Sequence, residues 1–304
     1  METTPARQST FQVWLMAARP RTLPAATAPV IAGSAAAFST GHFDLLPALA
    51  ALFGALLLQI GANFANDVFD YQKGADTAER LGPVRVTAAG LLAPWQVKAG
   101  MWVVFGLAAL CGLYLAFHAG WPVIAIGVFS ILTAIAYTGG PYPLAYHGLG
   151  ELAVFLFFGP IAVCGTYFVQ ALRLDPIAAW VSLPMGLLTV AILIVNNLRD
   201  VETDRASGKR TLITRFGPQW GRREYLAVVG LAYLAPLVMW LVGAGSVFLL
   251  AAWLSLPRLV PLARDISTLT GKPLNRVLGQ TGQLELIYGL CLSAGLILQA
   301  VLAA

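Results

Sequence analysis

Residues 45–80 read LLPALAALFGALLLQIGANFANDVFDYQKGADTAER, and two things happen in that one stretch. From Leu45 to Asn66 the chain carries no charge, and this run matches the roughly 20 residues a helix needs to cross a bilayer. Immediately after it, Asp67, Asp70, Asp76 and Glu79 arrive together, with Lys73 and Arg80 among them. A long apolar run ending in a knot of acids predicts a membrane-crossing helix whose polar end does chemistry, because acids near a membrane are costly and mark function.

The rest of the chain repeats the apolar theme. Hydrophobic residues make up 58% of the 304, charged residues 11%, and the mean hydropathy is +0.75. A soluble domain would need about twice that charged fraction to cover its surface, which excludes a soluble fold. Nine spans are expected, at 22–40, 45–66, 95–118, 121–138, 149–171, 176–198, 224–242, 246–262 and 284–303. The expected fold is an all-α membrane bundle forming one domain over 1–304, since helices satisfy their own backbone in lipid. With the amino terminus cytoplasmic, every Lys and Arg except Arg173 falls on the cytoplasmic side, as orientation by positive loops requires. The net charge of +5 is then orientation bias, and no nucleic-acid partner is needed to explain it. Cys111, Cys164 and Cys291 all fall within spans and offer neither a disulfide framework nor a metal spacing. No cleavable leader is evident, since the first apolar run continues as span one.

A second acidic stretch, NNLRDVETDRASGKRTL at 196–212, follows the sixth span and holds Asp200, Glu202 and Asp204. In the 63–80 stretch, Asn63, Asp67 and Asp70 share a helical face; in the second, Asn197, Asp200 and Asp204 do the same. Crowded carboxylates repel unless a cation lies between them. The donors are all oxygen, which suits Mg²⁺ and not zinc or copper. Lys73, Arg80 and Arg85 thread the first stretch, and Arg199, Arg205, Lys209 and Arg210 the second, so leftover phosphate oxygens would find guanidinium and ammonium donors. A diphosphate head beside an apolar bundle implies a substrate with a long lipid tail. The chemistry that fits is Mg²⁺-assisted departure of diphosphate from an allylic carbon in a site that excludes water. No Ser-His-Asp arrangement, activated Cys or Walker-type loop stands out, and a cation transporter built on paired acids is the rival reading.

The motifs NDVFD (66–70) and DVETD (200–204) resemble those of the UbiA superfamily of intramembrane prenyltransferases, whose pattern is NDxxDxxxD followed by DxxxD. Position 74 is Gly, and the third acid arrives late as Asp76. That variant resembles the branch that prenylates 1,4-dihydroxy-2-naphthoate in menaquinone synthesis. RPRTLPAATAPVIAG (19–33), YTGGPYPLAYHGLGEL (137–152), GTYFVQ (165–170) and LNRVLGQTGQLELIYG (274–289) are similar to the same branch. Hydroxybenzoate-type relatives carry a Lys soon after the Tyr-Pro of the loop behind span four; here the loop runs Tyr142, Pro143, Leu144, Ala145, Tyr146, His147.

The resemblance implies Asp67, Asp70, Asp76, Asp200 and Asp204 as Mg²⁺ ligands and catalytic acids. It implies transfer of a polyprenyl group from polyprenyl diphosphate to the aromatic acid, with loss of CO₂, in a cell inner membrane with the site facing the cytoplasm. Homogentisate, 4-hydroxybenzoate and chlorin are the alternative acceptors. Substrate contacts are expected from Asn63, Asn66, Lys73, Asn197, Arg199, Lys209 and Arg210, and on the acceptor side from Tyr137, Tyr142, Tyr146, His147 and Glu151. Arg19 and Arg21 are expected to anchor span one at the interface.

Overall fold

A computed structural model describes residues 9–76 and 80–303; Glu79, the last acid of the first stretch, lies outside them. Among these residues the chain is helical with no strand. An amino-terminal helix α1 (Thr10–Ala18) precedes α2 (Leu23–Ser39), α3 (Leu45–Gln72), α4 (Pro94–Ala119), α5 (Pro122–Ala136) and α6 (Gly150–Ala171). Then come α7 (Pro176–Arg199), α8 (Pro218–Leu241), α9 (Val247–Thr268) and α10 (Leu274–Ala303).

Seven of these, α3, α4 and α6 through α10, are long and apolar enough to cross a membrane. The expected spans at 22–40 and 121–138 correspond to α2 and α5, which are shorter at 17 and 15 residues. The structure also lengthens four expected spans: α8 starts at Pro218 rather than 224, α9 ends at Thr268 rather than 262, and α3 and α10 grow at their polar ends. Helix α3 runs on through Gln72, so Asp67 and Asp70 stand on the helix itself, and α10 starts at Leu274 rather than 284. Hydropathy stops where the polar residues start, but backbone hydrogen bonding does not.

Starts and breaks follow local chemistry. Asp44 and Asp175 cap α3 and α7 by accepting from Leu46 and Ile177 N–H groups. Pro160, which has no N–H, sits in a π turn over Phe157–Ile161 that widens α6. Gly74 has φ 68°, a left-handed conformation that turns the chain sharply after α3 and brings Asp76 back toward it.

Two large packed groups make up most of the bundle, and a small third one of Leu115, Ala116, Val123 and Val169 joins α4, α5 and α6. Of the large two, one joins α1, α3 and α4 through Val13, Phe64, Val68, Met101 and Phe105, with Val86 and Leu92 of the loop after α3. The other joins α2 and α6 to α10 around Tyr167, Met185, Leu188, Ile194 and Leu284. Helix α7 is the innermost crossing helix, buried over two thirds of its apolar window. Its close approach to α6 is made by glycines: a Cβ on Gly159 would meet Ser182 O at 2.8 Å and Gly186 Cα at 3.0 Å. Buried tyrosine hydroxyls are satisfied, Tyr225 by Thr281 at 3.0 Å and Tyr288 by donating to Ala232 O at 2.7 Å. The first acidic motif ends a helix of one group and the second ends a helix of the other. The space between the groups is where they meet.

Candidate active site

That space is a cavity of about 600 Å³. At its head, Asp70, Asp200 and Asp204 line it together with Arg19, Arg80, Arg85, Arg199 and Lys209. Five cations and three carboxylates face the head itself, with Asp76 behind them on Arg80 and Arg85, a mixture that suits a polyanion bound together with a metal ion. Below the head the walls are apolar, and glycines set their width. Gly54, Gly112, Gly127 and Gly165, from four helices, all line the cavity, and a Cβ on Gly112, Gly127 or Gly165 would meet nothing within 4 Å.

Asp70 is the hub. It accepts from Arg85 Nη2 at 2.9 Å and from the Tyr146 hydroxyl at 3.1 Å. Lys209 Nζ lies 3.5 Å from Asp70 and 3.6 Å from Asp204, so one ammonium bridges the two motifs. Burial works against the charge of Lys209, but Asp70 and Asp204 outweigh it and raise its pKa on balance. Burial pushes Asp204 up to about 6, partly opposed by Lys209. It pushes Asp76 to about 6 as well, against Arg80. Burial and Asp70 raise the Tyr146 phenol, whose ring has Lys73 at 4.8 Å and Lys209 at 5.0 Å from its centre.

In the second motif, Arg199 holds Asp200 through Nε at 2.8 Å and through Nη2, and reaches Asn196 at 2.8 Å and Asn275 at 2.9 Å. Asn275 in turn donates to Leu81 O at 2.7 Å, tying the loop after α3 to the start of α10. Asn275 falls in the 274–289 stretch that carries part of the resemblance, but its role is not legible there, because it lies in joining segments far apart in the chain.

Not every expected residue faces the cavity. Asp67 and Asp76 do not line it. Asp67 accepts the backbone N–H groups of Val86 and Thr87 at 3.1 and 3.0 Å, which fixes the loop carrying Arg85. Asp76 pairs with Arg80 and lies 3.3 Å from Arg85 Nε. Asn63, Asn66, Tyr137 and Asn197 do line the cavity. Asn63 donates to Ala18 O and Thr22, and Asn66 accepts from Thr138 at 2.9 Å. Lys73 donates to Thr138 O at 2.7 Å, and Asn197 donates to Glu151 at 3.0 Å behind the wall. Tyr142, which is exposed, stacks on His147 at 3.7 Å, and neither lines the cavity. Arg210 is exposed and reaches the site only through its N–H to Tyr146 O at 3.1 Å.

Arg19, expected to anchor a span at the interface, instead lines the cavity, because its φ of 53° turns the chain inward between α1 and α2. Burial and the neighbouring Arg80 lower its pKa to about 10. Its Nη2 is buried without a hydrogen-bond partner, and so is Arg85 Nη1. Buried guanidinium donors left unpaired in a positive cavity are poised for anion oxygens.

No group of three His, Cys, Asp or Glu among the described residues lies close enough to hold a metal on its own. The donors nonetheless suit Mg²⁺. They are hard oxygens, and the Lys209 ammonium between Asp70 and Asp204 marks a cation position between the two motifs.

A charged head above an apolar, glycine-widened body takes a lipid with an anionic end, which defines an intramembrane protein acting on such lipids. The chain belongs to the UbiA prenyltransferase family, whose description matches residues 26–270. It is 40% identical over 289 residues to a 1,4-dihydroxy-2-naphthoate octaprenyltransferase of Mycobacterium tuberculosis, covering 95% of this chain and 98% of that one. It is 40% identical over 274 residues to the Escherichia coli protein of the same name, covering 85% and 86%. In fold it is similar to a UbiA homolog from Archaeoglobus fulgidus bound to GPP and Mg²⁺, with a TM-score of 0.66 at 12% identity over 93% of this chain and 99% of that one.

Proposed function

We propose that this protein transfers a polyprenyl group from polyprenyl diphosphate to 1,4-dihydroxy-2-naphthoate, releasing diphosphate and CO₂ and forming the quinol of demethylmenaquinone. The observation that carries it is the cavity: a cationic, oxygen-lined head joined to an apolar body within one space. The relatives named for this reaction support the acceptor.

The diphosphate sits in the head, where Arg19, Arg80, Arg85, Arg199 and Lys209 take its oxygens. Asp70, Asp200 and Asp204 would hold Mg²⁺, while Asp67 and Asp76, expected as ligands too, would support the site by holding the loop of Arg80 and Arg85 in place. When bound, the ion supplies positive charge to the leaving diphosphate. The C1–O bond of the allylic tail breaks with its electron pair leaving on diphosphate. The guanidinium and ammonium donors stabilise that charge. The electron-rich ring then bonds C1 and gives up its carboxylate as CO₂. Tyr137 lines the cavity, and its ring would be available to stabilise the developing cation. The site opens to the cytoplasm, with the amino terminus inside and α2 and α5 completing nine crossings of a cell inner membrane.

The test is reconstitution in bilayers with Mg²⁺, a polyprenyl diphosphate and a panel of aromatic acids, following prenylated product and CO₂. Product with dihydroxynaphthoate is expected. Product with homogentisate or 4-hydroxybenzoate alone would overturn the acceptor and leave prenyl transfer standing.

A further inference from the structure

Glu285 lies midway along α10 with no exposed surface, and none of the ion pairs among the described residues includes it. Its Oε1 accepts from the Thr189 hydroxyl at 2.5 Å, and its Oε2 is buried with no hydrogen-bond partner. A carboxyl at membrane depth without a counter-ion is costly and marks function. The charged head does not use it.

Thr189, unlike Glu285, lines the cavity. On the facing helix Gln59 lines it too, its Nε2 donating to Thr22 Oγ1 at 3.3 Å. Gln59 precedes Asp67 on α3, and Thr189 precedes Asp200 on α7, by eight and eleven residues. At 1.5 Å per residue, Gln59 lies roughly 12 Å and Thr189 roughly 16 Å below the acids, within one helical turn of each other in depth. Amide, hydroxyl and carboxyl groups at that depth do nothing for a hydrocarbon tail, and burying polar groups against it unpaired costs free energy. The aromatic acceptor, by contrast, brings hydroxyls and a carboxylate that need partners. A few polar groups converging in an apolar pocket are the usual means of orienting such a ligand.

We propose that the acceptor ring is held between α3 and α7 at this level, with Gln59 and Thr189 as its hydrogen-bond partners. Glu285 is the positioning residue that fixes the Thr189 hydroxyl. The inference rests on the prenyl-transfer reading above and adds to it the place of the acceptor.

The experiment compares steady-state kinetics of Glu285→Leu, Glu285→Gln, Thr189→Val and Gln59→Leu in bilayers, varying each substrate separately, with thermal melting as the check on folding. Losing one such hydrogen bond should raise the KM for dihydroxynaphthoate about tenfold in the Leu and Val variants. The KM for polyprenyl diphosphate should stay within about twofold, and Glu285→Gln, which keeps the hydrogen bond, should restore the acceptor KM. Normal wild-type turnover with unchanged acceptor KM in the variants, or equal shifts in both KM values, overturns this proposal alone. A wild-type protein that prenylates no dihydroxynaphthoate overturns the functional reading, and this one with it.

Discussion

Asp67 and Asp70 stand one helical turn apart, yet the structure gives them different work. Asp70 faces the cavity between Arg85, Tyr146 and Lys209, whereas Asp67 holds the backbone of Val86 and Thr87. Asp70→Asn should therefore abolish turnover with little change in melting temperature. Asp67→Asn should also lose activity, but with a drop in stability of about 1–3 kcal/mol, because the amide NH₂ cannot accept both N–H groups. Equal melting for the two variants would contradict this division. Arg85→Lys keeps the charge but loses the fork, so the KM for polyprenyl diphosphate should rise roughly tenfold or more. Asp204, raised to about 6 by burial, is fully a carboxylate only above that pH. Protons and Mg²⁺ then compete for it, so the Mg²⁺ concentration for half-maximal activity should increase as pH falls from about 7.5 to about 5.5. A flat or opposite dependence would refute that assignment.

At the scale of helices, the tail's path is set by what is missing. Gly112 on α4, Gly127 on α5 and Gly165 on α6 each leave open space where a side chain would stand, and all three line the cavity. Leu or Phe at Gly112 or Gly127 would fill the channel well below the diphosphate. Such variants should keep turnover of geranyl diphosphate while losing tenfold or more on an octaprenyl donor, measured as kcat/KM for each. Uniform loss across tail lengths would show that these glycines serve packing instead. Gly159 is the contrasting case. Its Cβ would run into backbone of α7, so Gly159→Leu should lower the melting temperature whatever the substrate.

In the molecule as a whole, one cavity collects residues from both large packed groups, so chelation with EDTA should stop turnover reversibly while the bundle stays folded. Restored activity on adding Mg²⁺, read beside unchanged circular dichroism, is the expected result. The membrane class, the helical bundle, the two acidic motifs and the resemblance they carry were all legible in the chain alone. Uncharged runs of bilayer length leave the backbone no other solution, and acids in such company are too costly to be incidental. Helix lengths at the polar ends were not legible, because hydropathy reports side chains and not backbone pairing. Nor was the division among the acids, the inward turn of Arg19, or the tie from Arg199 through Asn275 to Leu81. Those depend on which segments, distant in sequence, come to lie against one another. Sequence determined that this protein carries acids and bases at the ends of membrane helices; tertiary structure alone decided which of them face the cavity, because a side chain's direction is set by its neighbours in space.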